Sequence, residues 1–132
     1  MPASRIYNPF AGSGGGGGGA DPNAEEIKTL PFAFDSANPL LILAIPAGAR
    51  IISTTVQITT AFDDAAALIT IGDSGDNSRL MTAAQNVPNE TGEYESHTPY
   101  QYVPITNVNL YITPGSSTMG AGVVVIEYNL NN

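Results

Sequence analysis

The sequence contains no cysteine and no tryptophan, a single histidine, and only four basic residues against twelve acidic ones. Without cysteine there are no disulfides, no thiolate nucleophile and no cysteine-ligated metal site. At a formal charge of −8 the chain lacks the basic patch from which phosphate recognition begins, so direct binding of nucleic acid is not expected. The same balance disfavours anionic membrane surfaces. No apolar run approaches the ~20 residues of a spanning helix, so membrane insertion is not expected either. Met1 to Ala20 also lack the basic start and apolar stretch of a secretory signal, which gives cytoplasmic synthesis as the expectation.

Charge of either sign is scarce: charged residues make up 12% of the chain, against an ordinary share of about 25%. Apolar content is 42%, near the globular average, so the surface must be covered largely by Ser, Thr, Asn, Gln and Gly. A chain of 132 residues has room for one modest domain. A body of that size without disulfides often gains stability by burying surface between copies, and a homo-oligomer is expected.

The strongest local signal is Gly12-Ser13-Gly14-Gly15-Gly16-Gly17-Gly18-Gly19. Glycine has no side chain to bury and loses the most backbone entropy on ordering, so this tract cannot enter a core and reads as a tether. It divides the chain into an extended N-terminal arm, residues 1–24, and a foldable body, residues 25–132. No Gly-Lys-Ser/Thr ending or following helix accompanies it, which excludes a phosphate loop. Ahead of the tract lies Arg5-Ile6-Tyr7-Asn8-Pro9-Phe10. Ile6, Tyr7 and Phe10 can fill pockets, Pro9 lowers the entropy lost on ordering, and Arg5 can pair with a partner's carboxylate. These residues form the candidate anchor. At up to ~3.6 Å per residue the tether gives it a long reach, and several copies so tethered would bind by avidity. A tail without a partner and a non-native linker are the alternatives.

The body reads as all β. Period-two alternation or strand-length apolar runs mark eight candidates: Ile27 to Phe34, Leu40 to Ile45, Arg50 to Phe62, Ala65 to Ile71, Arg79 to Ala84, Tyr94 to Val103, Ile105 to Thr113 and Gly120 to Leu130. Pro31 cannot donate to a ladder and puts the first strand on an edge. Leu40 to Ile45 is read as buried on both faces. In the third, Ile52, Val56, Ile58 and Phe62 share the core side. Asp63-Asp64 ends that strand and is expected to turn a hairpin into the next. Gly72 to Ser78 is expected to be a polar loop, and helix to be nearly absent. Eight short strands between Gly, Pro and Asx turns describe a jelly-roll-like antiparallel β-sandwich.

Little in the body suggests chemistry. Asp73-Ser74-Gly75-Asp76-Asn77 is rich in oxygen ligands but lacks the calcium-loop spacing, and turn formation is the simpler reading. Adjacent Asp63 and Asp64 point to opposite faces of a strand and do not converge as a catalytic pair. His97 has no nucleophile motif to serve. No enzyme, cofactor or metal is expected. Tyr94, Tyr100 and Tyr102 offer rigid amphipathic area and are a candidate outer recognition surface, unless they pack on the sheet.

The stretches Ile45-Pro46-Ala47-Gly48-Ala49-Arg50-Ile51-Ile52, Thr54 to Asp63, Leu68-Ile69-Thr70-Ile71-Gly72-Asp73 and Met119 to Tyr128 resemble small jelly-roll virion proteins of tailed bacteriophages. The likeness runs from about Leu40 to Tyr128 and leaves out the arm. It implies a structural virion protein. One expectation is a capsid decoration or cement protein, a trimer favoured, whose arms hold to neighbouring copies of the major capsid protein. The other is a tail or fibre-tip adhesin, with the arm plugged into a tail protein and the β-domain on a host receptor.

Overall fold

In a computed structural model, the structure describes residues 25–130. The glycine tract and the candidate anchor residues Arg5, Ile6, Tyr7, Pro9 and Phe10 lie outside them. The described chain forms nine strands: β1 (Glu25–Ala33), β2 (Leu40–Ile45), β3 (Arg50–Thr60), β4 (Leu68–Asp73), β5 (Asp76–Met81), β6 (Gly92–Ser96), β7 (Tyr100–Gln101), β8 (Thr106–Thr113) and β9 (Ala121–Asn129). One short 3-10 turn, Ala83–Gln85, is the only helical element among the described residues.

The strands divide between two antiparallel sheets. One has the order β1-β9-β3-β6, with β7 also paired to β3, and the other the order β2-β8-β4-β5. The pairs β1 with β9, β2 with β8, β3 with β6 and β4 with β5 are nested like the two arms of one long hairpin. Rolling that hairpin up gives two stacked sheets, which is the jelly roll. The expected fold is therefore present.

The core fills the space between the sheets. Ile42, Ile45, Ile69, Ile71, Val108, Leu110 and Ile112 of one sheet meet Phe32, Ile51, Val56, Ile58, Val124 and Ile126 of the other. Each fully buried aliphatic side chain contributes about 1.5–3 kcal/mol relative to solvent exposure. Pro31 lies, as expected, on an edge strand, opposite Val123.

Four local readings of the sequence are corrected. A bulge between Ile51 and Ser53 inserts a residue into β3, so Ile51 rather than Ile52 enters the core. Strand β2 is not buried on both faces. It is the edge of its sheet, with Leu41 half exposed and Ile42 buried. Asp63-Asp64 turns no hairpin, because β3 and β4 belong to different sheets and residues 61–67 cross between them. Finally, the segment from Tyr94 to Val103 is two strands, β6 and β7, which share β3 as neighbour.

Candidate functional site

The expected loop from Gly72 to Ser78 is a tight hairpin: β4 runs on to Asp73 and β5 starts at Asp76, leaving Ser74 and Gly75 as the turn. Gly72 permits this closeness. A Cβ there would run into the backbone of Asp76, Asn77 and Arg79. The Asp73 carboxylate shapes the turn from within, its Oδ1 accepting the N–H groups of Gly75 at 2.9 Å and Asp76 at 3.1 Å.

Asp73 is also the centre of a charged cluster at the end of β4. Arg79 donates from Nε to Oδ2 at 2.7 Å and from Nη2 to Oδ1 at 3.2 Å, a bidentate pair. The Tyr102 hydroxyl donates to Oδ2 at 2.8 Å. Asp73 is only 4% exposed, so each of these donors offsets part of the cost of burying the charge. Burial pushes the Asp73 carboxyl up, but donation from Arg79, Tyr102 and Gly75 outweighs it and holds the group below the ordinary carboxylate range. Burial, with the carboxylate beside it, raises the Tyr102 phenol, and the hydrogen bonds to Asp73 keep Arg79 protonated.

Two aromatic rings complete the cluster. The Arg79 guanidinium carbon lies 4.5 Å from the centroid of the Tyr100 ring, a cation–π contact. Tyr100 meets Tyr102 edge to face with centroids 4.7 Å apart. An open hollow beside them is bordered by Gln101, Val103, Pro104 and Thr106.

The three tyrosines expected on an outer surface are therefore split. Tyr102, 3% exposed, is a core residue, which corrects its place in that surface. Tyr100 is partly covered under Arg79, and Tyr94 is half-buried on β6, its hydroxyl donating to the Glu90 carbonyl at 3.0 Å. Tyr94 and Tyr102 do not converge on one site. His97 is exposed, its Nε2 3.4 Å from the Glu95 carboxylate.

A pair of carboxylates, Asp63 and Asp64, works in the crossover that leads into the other end of β4. Asp63 accepts the N–H and hydroxyl of Thr118, both at 2.7 Å, and Asp64 accepts the N–H of Ser116 at 2.5 Å and of Ala66 at 2.9 Å. The Thr118 bonds hold Asp63 below the ordinary carboxylate value, and the Ser116 and Ala66 bonds do the same for Asp64. The pair ties the β8–β9 loop to the crossover between the sheets. Asp76 likewise turns its carboxylate onto Ser78 of its own strand. Among the described residues no group of three or more His, Cys, Asp and Glu side chains gathers as a metal site.

Reading the sequence found Asp73 only as a turn former and missed its partner Arg79. The available signal was the Asp on one side of a Gly turn and the Arg six positions on, which a two-residue hairpin folds back toward it.

The geometry is that of a framework locked by polar clusters at both ends. No protein-family model matches the sequence, and no curated protein matches it either. Among solved structures, a chain of the acidic stable capsid of Helicobacter pylori bacteriophage KHP30 is similar with a TM-score of 0.66. It is 14% identical, over 82% of this chain and 89% of that one. A chain of the capsid asymmetric unit of cyanophage Pam1 is similar with a TM-score of 0.68 and 19% identity, over 98% of this chain and 99% of that one. At these identities the likeness is one of fold.

Proposed function

We infer that this chain is a structural component of a bacteriophage capsid, of the decoration or cement kind, and acts as a non-enzymatic part of the virion. The observation that carries the reading is the likeness of the whole fold to chains of two phage capsids, nearly end to end in one of them. The chemistry of the body agrees with it. The carboxylates of Asp63, Asp64 and Asp73 spend their hydrogen-bonding capacity on loops and on Arg79, as fits a framework rather than a catalyst.

In this reading the β-body sits among capsid subunits in several copies, a trimer favoured, and residues 1–24 are the anchor. Arg5, Ile6, Tyr7, Pro9 and Phe10 dock on the major capsid protein, and the glycine tract spans the gap to β1. The test is to locate and count the protein in purified particles by imaging and quantitative mass spectrometry. Hundreds of copies spread over the shell are expected. A dozen or fewer, confined to the tail, would overturn the capsid reading in favour of a tail adhesin.

A further inference from the structure

The two outer faces of the sandwich differ in charge. Strands β2 and β8 contain no acidic or basic residue, and β4 contains only Asp73, whose carboxylate is turned into the cluster at the strand's end. Registry sets their outward side chains in rows: Leu41 beside Asn109, Thr70 beside Tyr111, and Leu68 beside Thr113. Leu41 is 50% exposed and Leu68 48%. The opposite face sets Glu93 beside Gln57, Glu95 beside Thr55, and Glu127 beside Ser53, with Arg50 beside Asn129, and so is charged and predominantly acidic.

The edge strands differ from one another as well. Strand β1 carries Glu25, Glu26, Lys28 and Pro31; β6 carries Glu93 and Glu95; and β5 carries Asp76 and Arg79. Charges and prolines are what edge strands use against unwanted pairing, and β2 has neither. Its one interruption is the bulge between Leu41 and Leu43.

A second copy of this chain brings the same charge of −8. Contact through the face that bears Glu93, Glu95 and Glu127 would set predominantly like charges against each other, which is unfavourable. A basic partner would suit that face. The uncharged face suits an identical, acidic partner, because Leu41 and Leu68 can be covered there without desolvating a charge. We propose that the outer face of β2, β8 and β4, together with the β2 edge, is where a second copy of this chain packs. This rests on the multi-copy reading above but not on the capsid one.

Sedimentation or light scattering of the purified full chain, at tens of micromolar and about 0.15 M salt, tests it. The expected mass is that of two or more protomers, and association should tighten as salt rises and screens the repulsion between acidic copies. The Leu41→Glu/Leu68→Glu variant should associate at least tenfold more weakly, with circular dichroism confirming its fold. Leu41→Ser/Leu68→Ser gives the same reading should the glutamates unfold the chain. The charge-matched Thr29→Glu/Gln57→Glu variant on the opposite face should keep the wild-type mass. A monomeric wild type, an undiminished Leu41/Leu68 variant, or equal loss in both glutamate variants overturns the proposal. A monomer that is still found in purified capsids would sink this contact alone; an assembling chain absent from capsids would sink only the capsid reading.

Discussion

The hydroxyl of Tyr102 donates to Asp73 across 2.8 Å, joining positions 29 apart and, with them, the two sheets of the sandwich. Asp73 ends β4 in one sheet, and Tyr102 follows β7, which is paired to β3 in the other. The Tyr102 backbone is fixed as well. Its N–H donates to the Ala49 carbonyl at 2.9 Å, and its carbonyl accepts the Gly48 N–H at 2.7 Å. Hairpin tip and post-β7 segment thus meet at the Asp73 carboxylate, and the β2–β3 turn holds the same tyrosine by its backbone.

Replacing Tyr102 by Phe keeps the ring and removes that one donor. Hydrogen bonds to charged groups contribute about 1.5–3 kcal/mol, so denaturant unfolding should show a loss of that order. The dependence on denaturant should stay unchanged, since the surface exposed on unfolding is the same. A Tyr102→Phe chain as stable as wild type would show that Arg79 and the turn amides satisfy Asp73 alone.

Arg79→Met strips the countercharge from a buried carboxylate. Breaking a buried pair costs about 3–5 kcal/mol, and the 27% exposure of the Arg79 side chain reduces that to roughly 2 kcal/mol or more. Arg79→Lys keeps the charge but loses the bidentate fork and should fall between the two. In a double-mutant cycle, Asp73→Asn should make Arg79→Met cheaper, because no buried charge is then left unpaired. Strictly additive losses would count against the pair as a unit.

Acid should loosen both polar clusters. The folded-state values of Asp63, Asp64 and Asp73 all lie below the ordinary 3.8. Their stabilisation is therefore complete above that value and is lost as pH falls through it toward the folded values, where the unfolded chain binds more protons. Urea midpoints should be insensitive to these groups at neutral pH and decline below roughly pH 4. The Asp63→Asn/Asp64→Asn variant should lose part of that decline. An identical acid profile in the variant would mean that the β8–β9 loop contributes nothing to it.

Removing residues 1–24 should leave β1 and the sandwich folded while abolishing attachment to capsids. Full binding by the truncated chain would end the anchor reading. In the intact chain, Tyr7→Ala/Phe10→Ala should weaken anchoring by about 2 kcal/mol or more for each side chain that fills a pocket. Binding of the variants to particles stripped of the native protein measures both.

The alternation of Val108, Leu110 and Ile112 and of Val124 and Ile126 made the central strands legible, because a strand with one buried face repeats every second residue. Pro31 placed its own strand at an edge for an equally local reason. What escaped was non-local. Nothing in Ile51-Ile52-Ser53 announces a bulge, since the extra residue is defined only against Tyr128 and Glu127 of β9. Asp63-Asp64 looks like a hairpin turn until β4 is known to pair with β8 in the other sheet. Tyr102 was legible as one of the aromatics of the irregular β segment Tyr94 to Val103 but not as a buried partner of Asp73, because that contact exists only once the sheets are stacked.

The pairing of β1 has a mechanical side. All nine of its residues are in register with β9, from Glu25 opposite Asn129 to Ala33 opposite Ala121. Strand β9 in turn lies between β1 and β3. A pull on residue 24 directed along β1 therefore shears the whole ladder at once instead of peeling it bond by bond. The force passes into β9, which β3 holds from its other side, and so reaches the middle of the five-stranded sheet rather than stopping at its edge.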